Sequence, residues 1–110
     1  MSGPRMTVQM QVVLHALLAD PDKDLYGLEI AERTGLLPGT TYPILVRLER
    51  VGWVHSRWED IDPHDEQRPR RRYYQLTPDG AASARDALAR TKPGLARTVQ
   101  QWGLSGNGAL

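Results

Sequence analysis

The chain contains no cysteine in its 110 residues. Disulfides, thiol nucleophiles and cysteine-based zinc sites are therefore excluded, and a reducing compartment suits the composition. A long hydrophobic run is also missing. The longest mostly apolar stretch, Val12 to Ala19, is too short to span a bilayer and is interrupted by His15. Met1 to Arg5 lacks the apolar core of a signal peptide, so a cytoplasmic location without a membrane partner is expected. A strong excess of one charge is missing too: 14 basic residues face 13 acidic ones, for a net charge of +1. This excludes a histone-like polycation. It does not exclude nucleic acid, because the distribution of charge decides binding more than its sum. No internal repeat, no glycine-rich phosphate loop and no Ser-His-Asp spacing is visible, so neither catalysis nor a cofactor is expected.

The length suits one small domain, and 40% apolar with 25% charged residues is ordinary for a globule. After a lead at 1–5, expected to be disordered, Met6, Met10, Val13, Leu14, Leu17 and Leu18 follow a helical rhythm. This predicts a first helix from about Thr7 to Ala19, ended by Asp20-Pro21-Asp22. A second helix fits Tyr26 to Thr34, with Gly35 as its cap. Leu36-Leu37-Pro38-Gly39 reads as a tight turn. The third helix, within 38–51, takes Thr40 as its candidate N-cap, which puts Pro43 at N3. An earlier start would leave Pro43 to kink the helix. Ile44, Leu45, Leu48 and Val51 face one way, and Gly52 closes the helix.

From Trp53 the period changes to two, so 53–58 and 70–76 read as strands joined by an exposed polar loop from Ile61 to Pro69. Thr77-Pro78 is a strong helix start. The pattern Ala81, Ala84, Leu88, Thr91, Leu95, Thr98, Trp102 then has the spacing of a helix seeking a partner helix, interrupted at Lys92-Pro93-Gly94. The expected class is mainly α with a small antiparallel β-hairpin. It is a winged helix-turn-helix over 6–80, followed by a helical dimerisation segment at 81–104 and a flexible tail at 105–110.

The charge is concentrated where the sheet begins. "RPRRRYYQLTPDG" places Arg68, Arg70, Arg71 and Arg72 in five positions, next to an acidic block of Glu59, Asp60, Asp62, Asp65 and Glu66. "YGLEIAERTG", "PGTTYPILVRLERVGWV" and "RRYYQLTPDG" together resemble the PadR-like family of transcriptional regulators, from about residue 10 to residue 90. The resemblance implies a homodimeric, repressor-like protein that binds double-stranded DNA. Its third helix would enter the major groove and its wing would touch the backbone or minor groove. Thr40, Thr41 and Tyr42 match the start of the recognition helix, and the arginines before Tyr73 match the basic arm of the wing. The link from Thr34 to Gly39 is shorter than in many members of the family.

The residues support this reading on chemical grounds. Thr and Tyr hydroxyls at a helix start can meet phosphate oxygens. Arg47 has the reach for a guanine edge, and the wing arginines for phosphates or a narrow minor groove. Each feature also has a structural alternative. Acids at Asp60 to Glu66 could pair with the arginines across the hairpin. Tyr42 could pack under its helix, and Arg47 could pair with Glu49 or Glu32. Trp53, Trp58 and Tyr74 are expected to pack in the core or wing. Trp102, with His15, is expected to fill a dimer core or line a pocket for a small aromatic effector. Hard ligands at Asp60, Asp62, His64, Asp65 and Glu66 lack calcium-loop spacing, so no metal is expected. The alternative function is a winged helix that docks a protein partner instead of DNA.

Overall fold

The computed structural model of the protein describes residues 3–91. The chain runs α1 (Val8–Leu18), β1 (Leu25–Tyr26), α2 (Gly27–Thr34), α3 (Pro38–Arg50), β2 (Val54–Trp58), α4 (Pro63–Glu66), β3 (Arg72–Leu76) and α5 (Pro78–Ala89). This is the helix-rich winged-helix architecture, with a sheet of three strands instead of a hairpin. The strand order is β1-β3-β2, antiparallel throughout. β1 is two residues long, pairing Leu25 with Tyr74 and Tyr26 with Tyr73. So short a strand has no period to show in a sequence.

α1 starts at the Thr7 cap, whose hydroxyl oxygen accepts the Met10 N–H at 3.1 Å. It is buried on nearly every side, Gln11 and Val12 included, and not along a single stripe. α2, α3 and the sheet pack around it, with Leu14, Ile30, Leu45, Leu48 and Leu76 in one core. Gly35 ends α2 in the left-handed region at φ 76°, as expected.

α3 begins three residues earlier than its threonine pair predicts. Leu37 is the cap and Pro38 the first helical residue, so the expected turn is the first turn of the helix. Thr40 sits inside it, its N–H donating to the Leu37 carbonyl at 2.9 Å. The physical reason is that proline's fixed φ is already helical and its missing N–H costs nothing at N1. Pro43 then lies within the helix, where it removes the N–H that would have met the Gly39 carbonyl.

β2 and β3 pair from Val54↔Leu76 to Trp58↔Arg72. β3 therefore starts at Arg72, leaving Arg70 and Arg71 in the connection. That connection is exposed, but it contains the single turn α4, capped by Asp62 and started by Pro63. The Asp-Pro pair repeats the Thr77-Pro78 device that starts α5, where the Thr77 hydroxyl accepts the Gly80 N–H at 2.8 Å. Ala81 and Ala84 of the partner-seeking pattern are buried in the domain's own core, and Leu88 packs against it. The small side chains let α5 lie close to α1. Lys92-Pro93-Gly94, Leu95, Thr98 and Trp102 lie outside the described residues, as do the expected tail and most of the 81–104 segment. No helix among the described residues is long and apolar enough to cross a membrane.

Gly80 is buried against the backbone of Trp53, and a Cβ there would collide with the Trp53 carbonyl group. Gly39 has open space around the same position. Gly80→Ala should therefore lower stability by about 1–3 kcal/mol, because backbone must move to admit the methyl. Gly39→Ala should leave stability unchanged or raise it by up to ~1 kcal/mol, through helix propensity. Urea unfolding of both variants checks the contrast, and equal losses would contradict it.

Candidate nucleic-acid interface

α3 buries Thr41, Ile44, Leu45 and Leu48, and its helical period leaves Gly39, Tyr42, Pro43, Val46, Arg47 and Arg50 exposed on the opposite side. Two of the expected contact residues lie on this face. Arg47 is exposed, and among the described residues it pairs with neither Glu49, which pairs with Arg72, nor Glu32, which forms no ion pair. Tyr42 is 41% exposed, so its hydroxyl can reach solvent. Its ring also lies over Gly27, where a Cβ would strike it. The two roles open to Tyr42 in the sequence are thus combined: the ring packs across the start of α2 while part of it stays outside.

Thr40 is half-buried beside this face. Thr41 departs from expectation. It is fully buried, and its hydroxyl donates to the Leu37 carbonyl at 3.1 Å. A side chain one hundred-degree step around the helix from Tyr42 points inward, so Thr41 cannot meet phosphate. Val46, Arg50 and Leu37 are exposed residues that the motif-based reading passes over. The signal for Val46 and Arg50 is the same period that buries Ile44, Leu45 and Leu48.

The wing arginines all have partners. The Arg68 guanidinium donates to both oxygens of Glu59, at 2.7 and 2.9 Å. Glu59 also accepts the backbone N–H of Arg71 at 3.2 Å. The Arg68 hydrogen bond, aided by that N–H, pushes the Glu59 carboxyl down to about 2. The clasp across the hairpin is therefore made by Glu59, one residue before the acidic stretch expected to make it. Among the described residues, Asp60, Asp62, Asp65 and Glu66 form no ion pair, and no three candidate ligands gather for a metal. Arg70 donates through Nε to the Ile61 carbonyl at 2.9 Å and is otherwise exposed, its two terminal nitrogens making no hydrogen bond among the described residues.

Arg71 and Arg72 leave opposite faces of the sheet, as alternation requires. Arg71 lies over the Tyr26 ring at 4.3 Å, Tyr26 meets Tyr73 edge to face at 5.8 Å, and Arg57 covers Tyr73 at 4.9 Å. Arg57 also donates to Asp24 at 2.7 Å. Arg72 lies on the other side, 4.8 Å from the Trp58 ring centre and 3.9 Å from Glu49. Glu49 belongs to α3 and also accepts the Ser56 hydroxyl at 2.6 Å. It therefore ties the exposed helix to the wing. Trp58, 59% exposed, lies outside the core and packs against Arg72 within the wing, while Trp53 is half-buried and Tyr74 is in the core. Cation–π stacking leaves guanidinium edges free to donate and the charge in place. His15 is half-buried in the last turn of α1, and burial lowers its pKa, favouring the neutral ring. Its expected companion Trp102 lies outside the described residues.

The geometry is a helix face of mixed polar and apolar chemistry beside an arginine-bearing wing. The model of the transcriptional regulator PadR-like family matches residues 13–86. A comparison with curated protein sequences found no match. Among solved structures, a PadR family transcription regulator from Clostridium difficile R20291 is similar with a TM-score of 0.62 and 24% identity, over 87% of this chain and 98% of that one. Bacillus subtilis PadR in complex with operator DNA has a TM-score of 0.61 and 23% identity, over 79% of this chain and 51% of its own. Bordetella bronchiseptica BpsR, whose DNA binding is regulated by 6-hydroxynicotinic acid, has a TM-score of 0.62 and 20% identity, over 96% of this chain and 67% of its own.

The Glu59 carboxyl makes an acid-range test available. Its pKa is depressed from an ordinary 4.5 to about 2, so its contribution to stability is complete above 4.5 and lost as pH falls toward 2. Glu59→Gln should melt below the wild type at neutral pH, and the gap should close between pH 4.5 and 2. A gap constant across that window in thermal melts would mean that the carboxylate is not its source.

Proposed function

We propose that this chain, which belongs to the transcriptional regulator PadR-like family, is a sequence-specific DNA-binding regulator that works as a dimeric repressor. The observation that carries the reading is the exposed face of α3, with an unpaired Arg47 among the described residues, set beside a wing of arginines by Glu49. α3 would lie in the major groove, its Thr40, Tyr42 and Arg47 meeting phosphate and base edges. In the first turn of α3 the Gly39 N–H would be the backbone donor toward phosphate, since Pro38 has none and Thr40 and Thr41 donate to the Leu37 carbonyl. The wing, over 53–76, would lie along the adjacent backbone or minor groove.

The partners of the arginines sort their roles. Arg70 keeps both terminal nitrogens for phosphate. Arg71 and Arg72 would present stacked, preoriented edges. Arg68 is offset by Glu59 and would serve the shape of the wing more than its charge. The DNA-binding unit is assigned to 6–80 and pairing of two copies to the 81–104 segment. Two copies of α3 would then sit in successive major grooves about 34 Å apart on a pseudo-palindromic site. Non-enzymatic regulation in the cytoplasm is part of the same proposal. The BpsR likeness supports adding a small aromatic effector, with His15 as a candidate residue near its site.

Fluorescence anisotropy tests the reading directly. A labelled duplex from the DNA upstream of the protein's own gene is compared with a scrambled duplex at two salt concentrations. Tighter binding to the upstream duplex at the higher salt supports a specific regulator. Absence of binding even at low salt would favour a protein-docking winged helix. Within this assay, Arg47→Ala should cost about 1–3 kcal/mol on the preferred site and little on other sequences. Arg70→Ala should weaken all duplexes and reduce the salt slope by about 1. Replacing Arg68 and Glu59 together by Gln should leave the slope unchanged, because the pair contributes no net charge.

A further inference from the structure

We infer that Val46 reads a thymine methyl group in the major groove, as a specificity residue beside Arg47; this rests on the DNA-binding reading of α3. Val46 is 47% exposed in the middle of the helix. A β-branched apolar residue there contributes neither good helix propensity nor core burial. At 100° per residue, Val46 falls between Tyr42 and Arg47 around the axis, within the exposed face. Over the first turns of α3 the exposed positions beside Val46, Gly39 and Pro43, are also short, flanked by the long side chains of Tyr42 and Arg47, and the long Arg50 follows one turn after Val46. This short ridge from Gly39 to Val46, between long polar flanks, lets that part of the helix backbone approach the groove floor. The floor of the major groove offers one apolar group, the C5-methyl of thymine. Valine can neither donate nor accept a hydrogen bond, so that methyl is the base feature it can distinguish. The flanking Arg47 suits the O6 and N7 atoms of guanine on a nearby base pair.

Duplexes that bind the full chain are selected from a random pool. Each thymine of the selected half-site is then replaced singly by deoxyuridine, which differs only by lacking the methyl. Dissociation constants are measured for the wild type and for Val46→Ala, a change at an exposed helical position to a better helix former. One thymine per half-site should weaken the wild type roughly fourfold on replacement, the effect of one buried methyl group. Val46→Ala should bind the thymine site about as weakly as the wild type binds the uracil site, and should not distinguish the two. Indifference of the wild type to every replacement on a specific site overturns the inference and leaves the regulator reading intact. A thymine preference retained in Val46→Ala overturns it as well. Failure to select any specific duplex overturns both.

Discussion

The backbone of Trp53 joins the three parts on which any interface depends. Its N–H donates to the Leu48 carbonyl at the end of α3, at 3.0 Å, and its carbonyl accepts the Thr77 N–H at the start of α5, also at 3.0 Å. The Thr77 hydroxyl reaches the Gly52 carbonyl at 3.0 Å, and Gly52 turns the chain at φ 82°. One peptide stretch thus ends the exposed helix, opens the wing and docks the final helix. Gly80 lets α5 come that close, in exchange for the lower helix propensity of glycine. An exposed helix and a wing act together only at a fixed separation, and these backbone bonds hold it alongside the Glu49 side chain.

Charge is distributed on the same principle. Arginines crowded into five positions would repel and disorder a short connection if each stood alone in water. Here Glu59 neutralises Arg68, Tyr26 and Trp58 underlie Arg71 and Arg72, and a carbonyl holds Arg70. Stacking restrains a guanidinium without removing its charge, so the wing remains positive where it has to be and rigid where it would otherwise fray. Rigidity matters because ordering long side chains at the moment of binding costs conformational entropy. Glu49 extends the arrangement into α3 through Ser56 and Arg72.

Much of this was legible in the residues because local signals agreed. Thr7 and Thr77 caps, the Gly35 terminus, the period-two strands and the Tyr-Pro and Leu-Thr units all describe short-range chemistry. Where local signals competed, the reading slipped. Thr40 has the chemistry of a cap and Leu36 to Gly39 that of a turn, but the fixed φ of Pro38 starts the helix. Thr41 resembled a DNA contact by its place in a motif, but the helical phase turns it inward.

The winged-helix class and the concentration of arginine at the wing could be read along the chain, because they follow from periodicity and from residues close together in it, and the family from the resemblance of three short motifs. Only the tertiary structure decided which charges remain available. The clasp of Glu59 on Arg68, the Tyr26–Tyr73 stack, the Glu49 bridge and the contact of Gly80 with Trp53 all join positions separated by a turn, a strand or more. Such pairings depend on register and packing, which no single stretch of sequence carries.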